Sequence, residues 1–147
     1  MALADPDKEN RWQRVQRFLN GIICGGNTVM SLDHGTYTPT LTGVANVAAS
    51  TAYECQYLRV GNTVTVSGKL DVDPTLTVTE TKLGISLPIA SNFGAAEDCA
   101  GVAFASGIAG QGAAIRADAT NDRAEMVWIA GDVTNQPMLM IFTYAVV

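Results

Sequence analysis

The stretch YLRVGNTVTVSGKLDVD, residues 57–73, constrains the fold more than any other part of the chain. A Gly-Asn pair between alternating apolar and polar runs reads as a two-residue hairpin loop, because both residues tolerate the positive φ of type I′ or II′ turns. Placing Gly61 and Asn62 in that loop fixes every opposing pair. Val60 faces Thr63, Arg59 faces Val64, Tyr57 faces Val66, Cys55 faces Gly68 and Tyr53 faces Leu70. Tyr53, Cys55, Tyr57, Val64, Val66 and Leu70 then share one face. Glu54, Gln56, Thr65, Ser67 and Lys69 share the other, with Leu58 as its apolar exception. A slip of one residue would turn all of them over, so this register is specified by both arms at once.

Strand-like runs continue on either side. TYTPTLTGV precedes the hairpin, and TKLGISLPI, CAGVAFAS, GAAIRADA, RAEMVWIAG and PMLMIFTYAVV follow it. Turn-rich VDPT, SNFGAAED, ATND and GDVTNQP separate them. With both hairpin arms this makes eight strands. No helix-length pattern occurs after residue 35, which excludes a parallel α/β sheet. The expected fold is all-β: an antiparallel β-sandwich, jelly-roll-like in preference to immunoglobulin-like.

The start of the chain differs. In DPDKENRWQRVQRFLNG, Asp5 suits an N-cap, Pro6 the first helical position, and Gly21 a stop. Trp12, Val15, Leu19 and Ile22 recur at 3-4-3 spacing, the seam pattern of an amphipathic helix, with Phe18 beside them. Two heptads do not hold a helix alone. The stripe therefore packs on the chain's own β-domain, on copies of itself, or in a larger body, and spacing does not separate these. The glycine-rich GIICGGNTVMSLDHG reads as a connector. Two units are expected: 1–34, a helix and neck for attachment or oligomerisation, and 35–147, a β head.

Charge narrows the partners. Charged residues are 16% of the 147, against about 25% in ordinary soluble domains. A surface so poor in charge is commonly covered by sister chains or a partner. Residues 1–34 carry four basic groups (Lys8, Arg11, Arg14, Arg17) and four acidic ones (Asp5, Asp7, Glu9, Asp33), so the net charge of −5 lies in 35–147. An acidic body repels phosphate backbones, which argues against nucleic acid. MALADPDKENRW has no apolar leader core, and no run approaches the ~18 apolar residues of a membrane span. The expectation is assembly in a cytoplasm, with no membrane insertion. Cys24, Cys55 and Cys99 have no zinc-like spacing and read as buried, unpaired thiols.

The last strand is apolar on both sides. Met138, Met140, Phe142 and Tyr144 share one face; Leu139, Ile141, Thr143 and Ala145 share the other. One face belongs to the core, and the other needs a lid, for which a neighbouring subunit is the simplest candidate. All six large residues (Met138, Leu139, Met140, Ile141, Phe142, Tyr144) are thus candidates for a subunit interface.

Catalytic chemistry is not signalled. His34 is the sole histidine, reads as a loop residue, and adjoins Asp33, which does not build a nucleophile–base–orienter line. Asp71 and Asp73, or Asp118, Asn121 and Asp122, have side chains that can ligate Ca²⁺, but Asp and Asn in such positions more often bond the local backbone of turns. GIAGQGAAIRA lacks the strand–helix context of a dinucleotide fingerprint. No catalytic residue, metal or cofactor is expected.

The run GTYTPTLTGVANVAASTAYECQYLRVGNTVTVSGKLDVDP resembles segments of tailed-bacteriophage fibre and head-fibre (decoration) proteins. In those a Y-T-P-T opening precedes a Y-x-R-V-G-N-x-V-x-V-S-G hairpin. The similarity extends through LGISLPIASNF, GQGAAIRADATNDRA and the apolar last strand, covering roughly residues 35–147. It implies a virion location and a homotrimer whose partners are itself and other capsid or tail proteins. A non-enzymatic head fibre, decoration protein or tail-fibre component is the expected role. The alternative is a receptor-binding module for host cell-surface glycan. Less favoured still is a polysaccharide hydrolase using Asp71, Asp73, Asp118 or Asp122.

Overall fold

The computed structural model describes residues 31–147 throughout, and of the preceding segment only the backbone at 22–23 and 29–30. The expected N-terminal helix, with Trp12, Val15, Phe18 and Leu19, lies outside the described residues, as does Cys24. Ile22, read as the last residue of the helical stripe, instead sits in β1 (Ile22–Ile23), paired antiparallel with β2 (Val29–Met30).

Everything from Leu32 onward joins one antiparallel sheet of ten strands. They are β3 (Leu32–Tyr37), β4 (Leu41–Ala45), β5 (Val47–Ala52), β6 (Cys55–Val60), β7 (Thr63–Pro74), β8 (Glu80–Ile85), β9 (Cys99–Ala105), β10 (Gly112–Asp118), β11 (Arg123–Ile129) and β12 (Gln136–Ala145). The hairpin forms in the expected register, from Val60 opposite Thr63 to Tyr57 opposite Val66. Gly61 takes φ 62°, as its place in the loop requires.

Two features make the sheet curl. First, β7 is 12 residues long and serves two neighbours on one side. Its first part pairs with β6, while Leu70 to Pro74 pair with β5. Second, β4 and β5 are one segment bent at Asn46. The register shifts on both sides of that residue, as at a β-bulge, and Asn46 takes φ 55°. Asn tolerates this left-handed conformation better than most residues. Its side chain also holds the corner: Nδ2 donates to Leu76 O (2.9 Å) and Thr81 Oγ1 (2.7 Å), and Oδ1 accepts from Leu76 N (2.8 Å). Because β4 pairs with β8 and β5 with β7, the path β7-β12-β9-β10-β11-β8 returns to its origin. The β3–β6 pair extends beyond this closure as a flap.

The strand count and several placements differ from the sequence reading; VDPT, read as a turn, begins inside β7, so Asp71 and Asp73 lie on a strand that continues to Pro74. TYTPTLTGV is not one strand; it spans the end of β3, a break around Pro39, and β4, because proline cannot donate to a ladder. VAASTA, to which the sequence reading assigns no element, is β5; its small residues give no alternation to detect. His34 lies in strand β3 opposite Leu58 rather than in a loop. Tyr53 falls between β5 and β6 and is partly exposed, because Ala52 takes the place opposite Leu70.

The core is set by complementary sizes on neighbouring strands. Along β12 the inward residues are Met138, Met140, Phe142 and Tyr144; opposite them on β9 lie Ala105, Ala103, Gly101 and Cys99. Large faces small in every pair. Phe142 and Tyr144 stack, and Phe93 meets Tyr144 edge-on at 5.8 Å. Tyr144 Oη donates to Ile89 O (2.7 Å), tying the 86–98 loop over one end of the core. Cys55 and Cys99 are both buried and free, and burial pushes the Cys99 thiol up to about 12.

A Cβ on Gly101 would collide with Phe142 Cβ and the Ile141 carbonyl, both held by the ladder. Gly101→Ala is therefore expected to cost about 1–3 kcal/mol by overpacking. The denaturant midpoint should fall with an unchanged slope; an unaltered midpoint would mean the strands separate freely there.

Candidate functional site

The outer face of the sheet is where the structure departs from an ordinary solvated surface. Since β9 points its small residues inward, its large apolar ones point out. Val102 and Phe104 are 46% and 59% exposed, and Leu139 and Ile141 beside them on β12 are 54% and 50% exposed. Register makes them one patch: Leu139 pairs with Phe104, and Ile141 with Val102. The rows run on through Gly112 and Ala114 of β10 to Val127 of β11, with Ile129 at the border. The Phe104 ring leans over Gly112, 3.3 Å from where a Cβ would stand there. Scattered exposed apolar residues are ordinary, whereas a contiguous patch of them marks an interaction surface.

Charge around the patch is matched within the chain. Lys69 lies 3.2 Å from Asp71, Lys82 2.6 Å from Glu80, and Arg116 2.9 Å from Glu125. These pairs stabilise little, being largely at the surface. Their effect is to leave the surroundings of the patch locally neutral on a chain whose net charge is −5.

The six candidates on the last strand divide cleanly. Met138, Met140, Phe142 and Tyr144 line the core, so only Leu139 and Ile141 are open to a partner. Val102 and Phe104 were not singled out from sequence. The signal was present in CAGVAFAS, where small and large residues alternate, but not which set faces in. That follows only from the bulk of β12 opposite.

Asp71, Asp118 and Asp122 are engaged by partners within the chain, whereas Asp73 Oδ1 is buried without a hydrogen-bond partner. Asp118 accepts from Arg123 Nε (2.9 Å), Asn121 Nδ2 (2.8 Å) and Thr120 N (3.2 Å), and Asp122 accepts from Phe93 N (2.9 Å). Asp71 accepts from Tyr53 Oη (2.8 Å), with Lys69 over the Tyr53 ring. Among the described residues, no three His, Cys, Asp or Glu side chains group as a metal site. His34 alternates to the outer face of β3, while Cys55 and Cys99 point into the core, so the sheet separates imidazole from thiols. Among the described residues, no helix is long and apolar enough to cross a membrane.

No protein-family model matches the chain, and no curated protein sequence matches it. Its residues alone carry the functional reading.

Burial acts to raise the Asp118 carboxyl, but hydrogen bonds from Asn121 and Arg123 and the Arg123 charge outweigh it and hold the group below its usual range. Asp71 is lowered in the same way: burial opposes, and Tyr53 and Lys69 prevail. A depressed folded pKa contributes stability that is complete above the unfolded value of about 3.9 and lost as pH falls through the folded value. Melting temperature should therefore drop as pH falls below about 4. Asp118→Asn should lower stability at neutral pH and flatten that acid limb; equal limbs in both proteins would refute the assignment.

Proposed function

We propose that this chain is a non-enzymatic structural protein of a tailed-bacteriophage particle. In this reading it is a homotrimeric head fibre, capsid decoration or tail-fibre component. The curled sheet is its two-layered, jelly-roll-like head. Residues 1–34, with Trp12, Val15, Phe18, Leu19 and Ile22, attach it to the particle.

One observation carries the reading: Val102, Phe104, Leu139 and Ile141 form a contiguous apolar patch on the open side of a sheet whose other side already fills a core. Covering such a patch removes apolar surface from water at about 25 cal/mol per Å², a contribution that favours self-association. The low charge of the chain and the sequence resemblance over residues 35–147 point the same way. The engagement of Asp71, Asp118 and Asp122 by partners within the chain, and the separation of His34 from the thiols, favour a structural over a catalytic role.

Removal of residues 1–30 spares every strand of the large sheet, since β3 begins at Leu32. The shortened chain should fold and stay soluble but be missing from purified particles. Normal incorporation would refute the attachment role, and a fully dispersed wild-type monomer at micromolar concentration would refute the oligomer.

A further inference from the structure

The flap carries an apolar surface of its own. Leu32, His34 and Thr36 of β3 share the outer face with Val60, Leu58 and Gln56 opposite them on β6. Leu32 is 60% exposed, Leu58 47% and Val60 39%. β3 and β6 stand outside the closed path of ladders, and a pair of strands is marginal in water unless a further strand or a helix packs on it. A cover lies close by in the chain. Ser31 O accepts from Gly61 N (2.7 Å), so the contact of β3 with the hairpin runs back to Ser31, the one residue between β2 and β3. β1 pairs antiparallel with β2, with Ile22 opposite Met30. Traced backward from Ile22, the chain therefore heads along β3 rather than away from it.

Charge and length fit that path. Between Asn10 and Ile23 lie Arg11, Arg14 and Arg17 and no acid. Beside Thr36 on the outer face is an exposed acid, Glu54, which accepts from Thr36 Oγ1 (3.2 Å) and has no ion pair among the described residues. A helix rises about 1.5 Å per residue, so Trp12 to Leu19 spans about 10 Å. A strand rises about 3.3 Å per residue, so Leu32 to Thr36 spans about 13 Å. We propose that residues 12–19 lie as an amphipathic helix across the outer face of β3 and β6 of their own chain. Trp12, Val15 and Leu19 cover Leu32, Val60 and Leu58, and the arginines reach toward Glu54. Seated there, the stripe is fixed to the head, and residues 1–11 leave it in a set direction. This goes beyond the attachment reading and does not depend on it.

Acrylamide quenching of tryptophan emission in the full-length protein reads the contact. Trp128 is buried, so quenching reports on Trp12. Wild-type Trp12 should be shielded. Leu58→Asp on the flap and Leu19→Asp in the segment should each expose it, and should speed tryptic cleavage after Arg14 and Arg17 by about tenfold or more. Leu19 precedes every strand of the large sheet, so its variant leaves the head folded. Leu139→Asp, on the β9–β12 patch, should leave Trp12 shielded. Wild-type Trp12 as quenchable as in the two variants refutes the contact. Exposure by Leu139→Asp but not by Leu58→Asp moves the segment to the other patch and refutes it equally. Shielding that disappears on dilution below micromolar concentration assigns the flap to a second copy and overturns the contact within one chain. All of these are read on free protein, apart from whether the shortened chain enters particles.

Discussion

The pairing of β12 with β9 sets the terms for the rest of the molecule. Four large side chains enter the core from β12, and the strand beside it has room only for Gly101, Ala103, Ala105 and Cys99. Close packing leaves no alternative, since extra methylenes inside a filled core force strain. Period-two alternation then assigns the bulky residues of β9 to the outside, next to the Leu139 and Ile141 that β12 cannot turn inward. The apolar exterior is thus a by-product of how the interior is filled. Its position is fixed as firmly as the core itself.

Closure of the sheet depends on a second, polar device. Asn46 supplies the bend, the positive φ and three hydrogen bonds, and the same bonds pin the loop that carries Leu76 and Val78. One residue therefore connects the shape of the head to the shape of its protruding loop. Exposure of an aliphatic pair on a slack loop would carry little meaning. On a loop bonded at both ends, it is a feature of the fold.

Much of the architecture was legible in the sequence where local chemistry decides it. Gly61-Asn62 set the register of a whole hairpin, and the turn clusters separated β8 from β12 correctly. Legibility ended where a residue's role depends on a distant strand. VAASTA has no alternation because it lies at a corner, and Tyr53 lost its inward place because β7 changes partner at Leu70. Likewise the two faces of PMLMIFTYAVV are equally apolar, and only the bulk they meet on β9 orders them. Asp118 was readable as a turn former because Asx chemistry is local, whereas Asp71 and Asp73, read the same way, lie within β7, and the Val102–Phe104 half of the patch was not legible either.

The divided service of β7 also shapes how the molecule can come apart. The closed path runs through β5, which leaves β3 and β6 fastened to the body by the ladder along the first half of β7 and by the packing of Tyr37, Cys55 and Tyr57 on the core. Those two can fray as a unit while the ring of ladders stays shut, in the manner of a separate cooperative segment. Tension applied at Leu32 falls first on this pair of strands, which can yield before the closed path of ladders is opened.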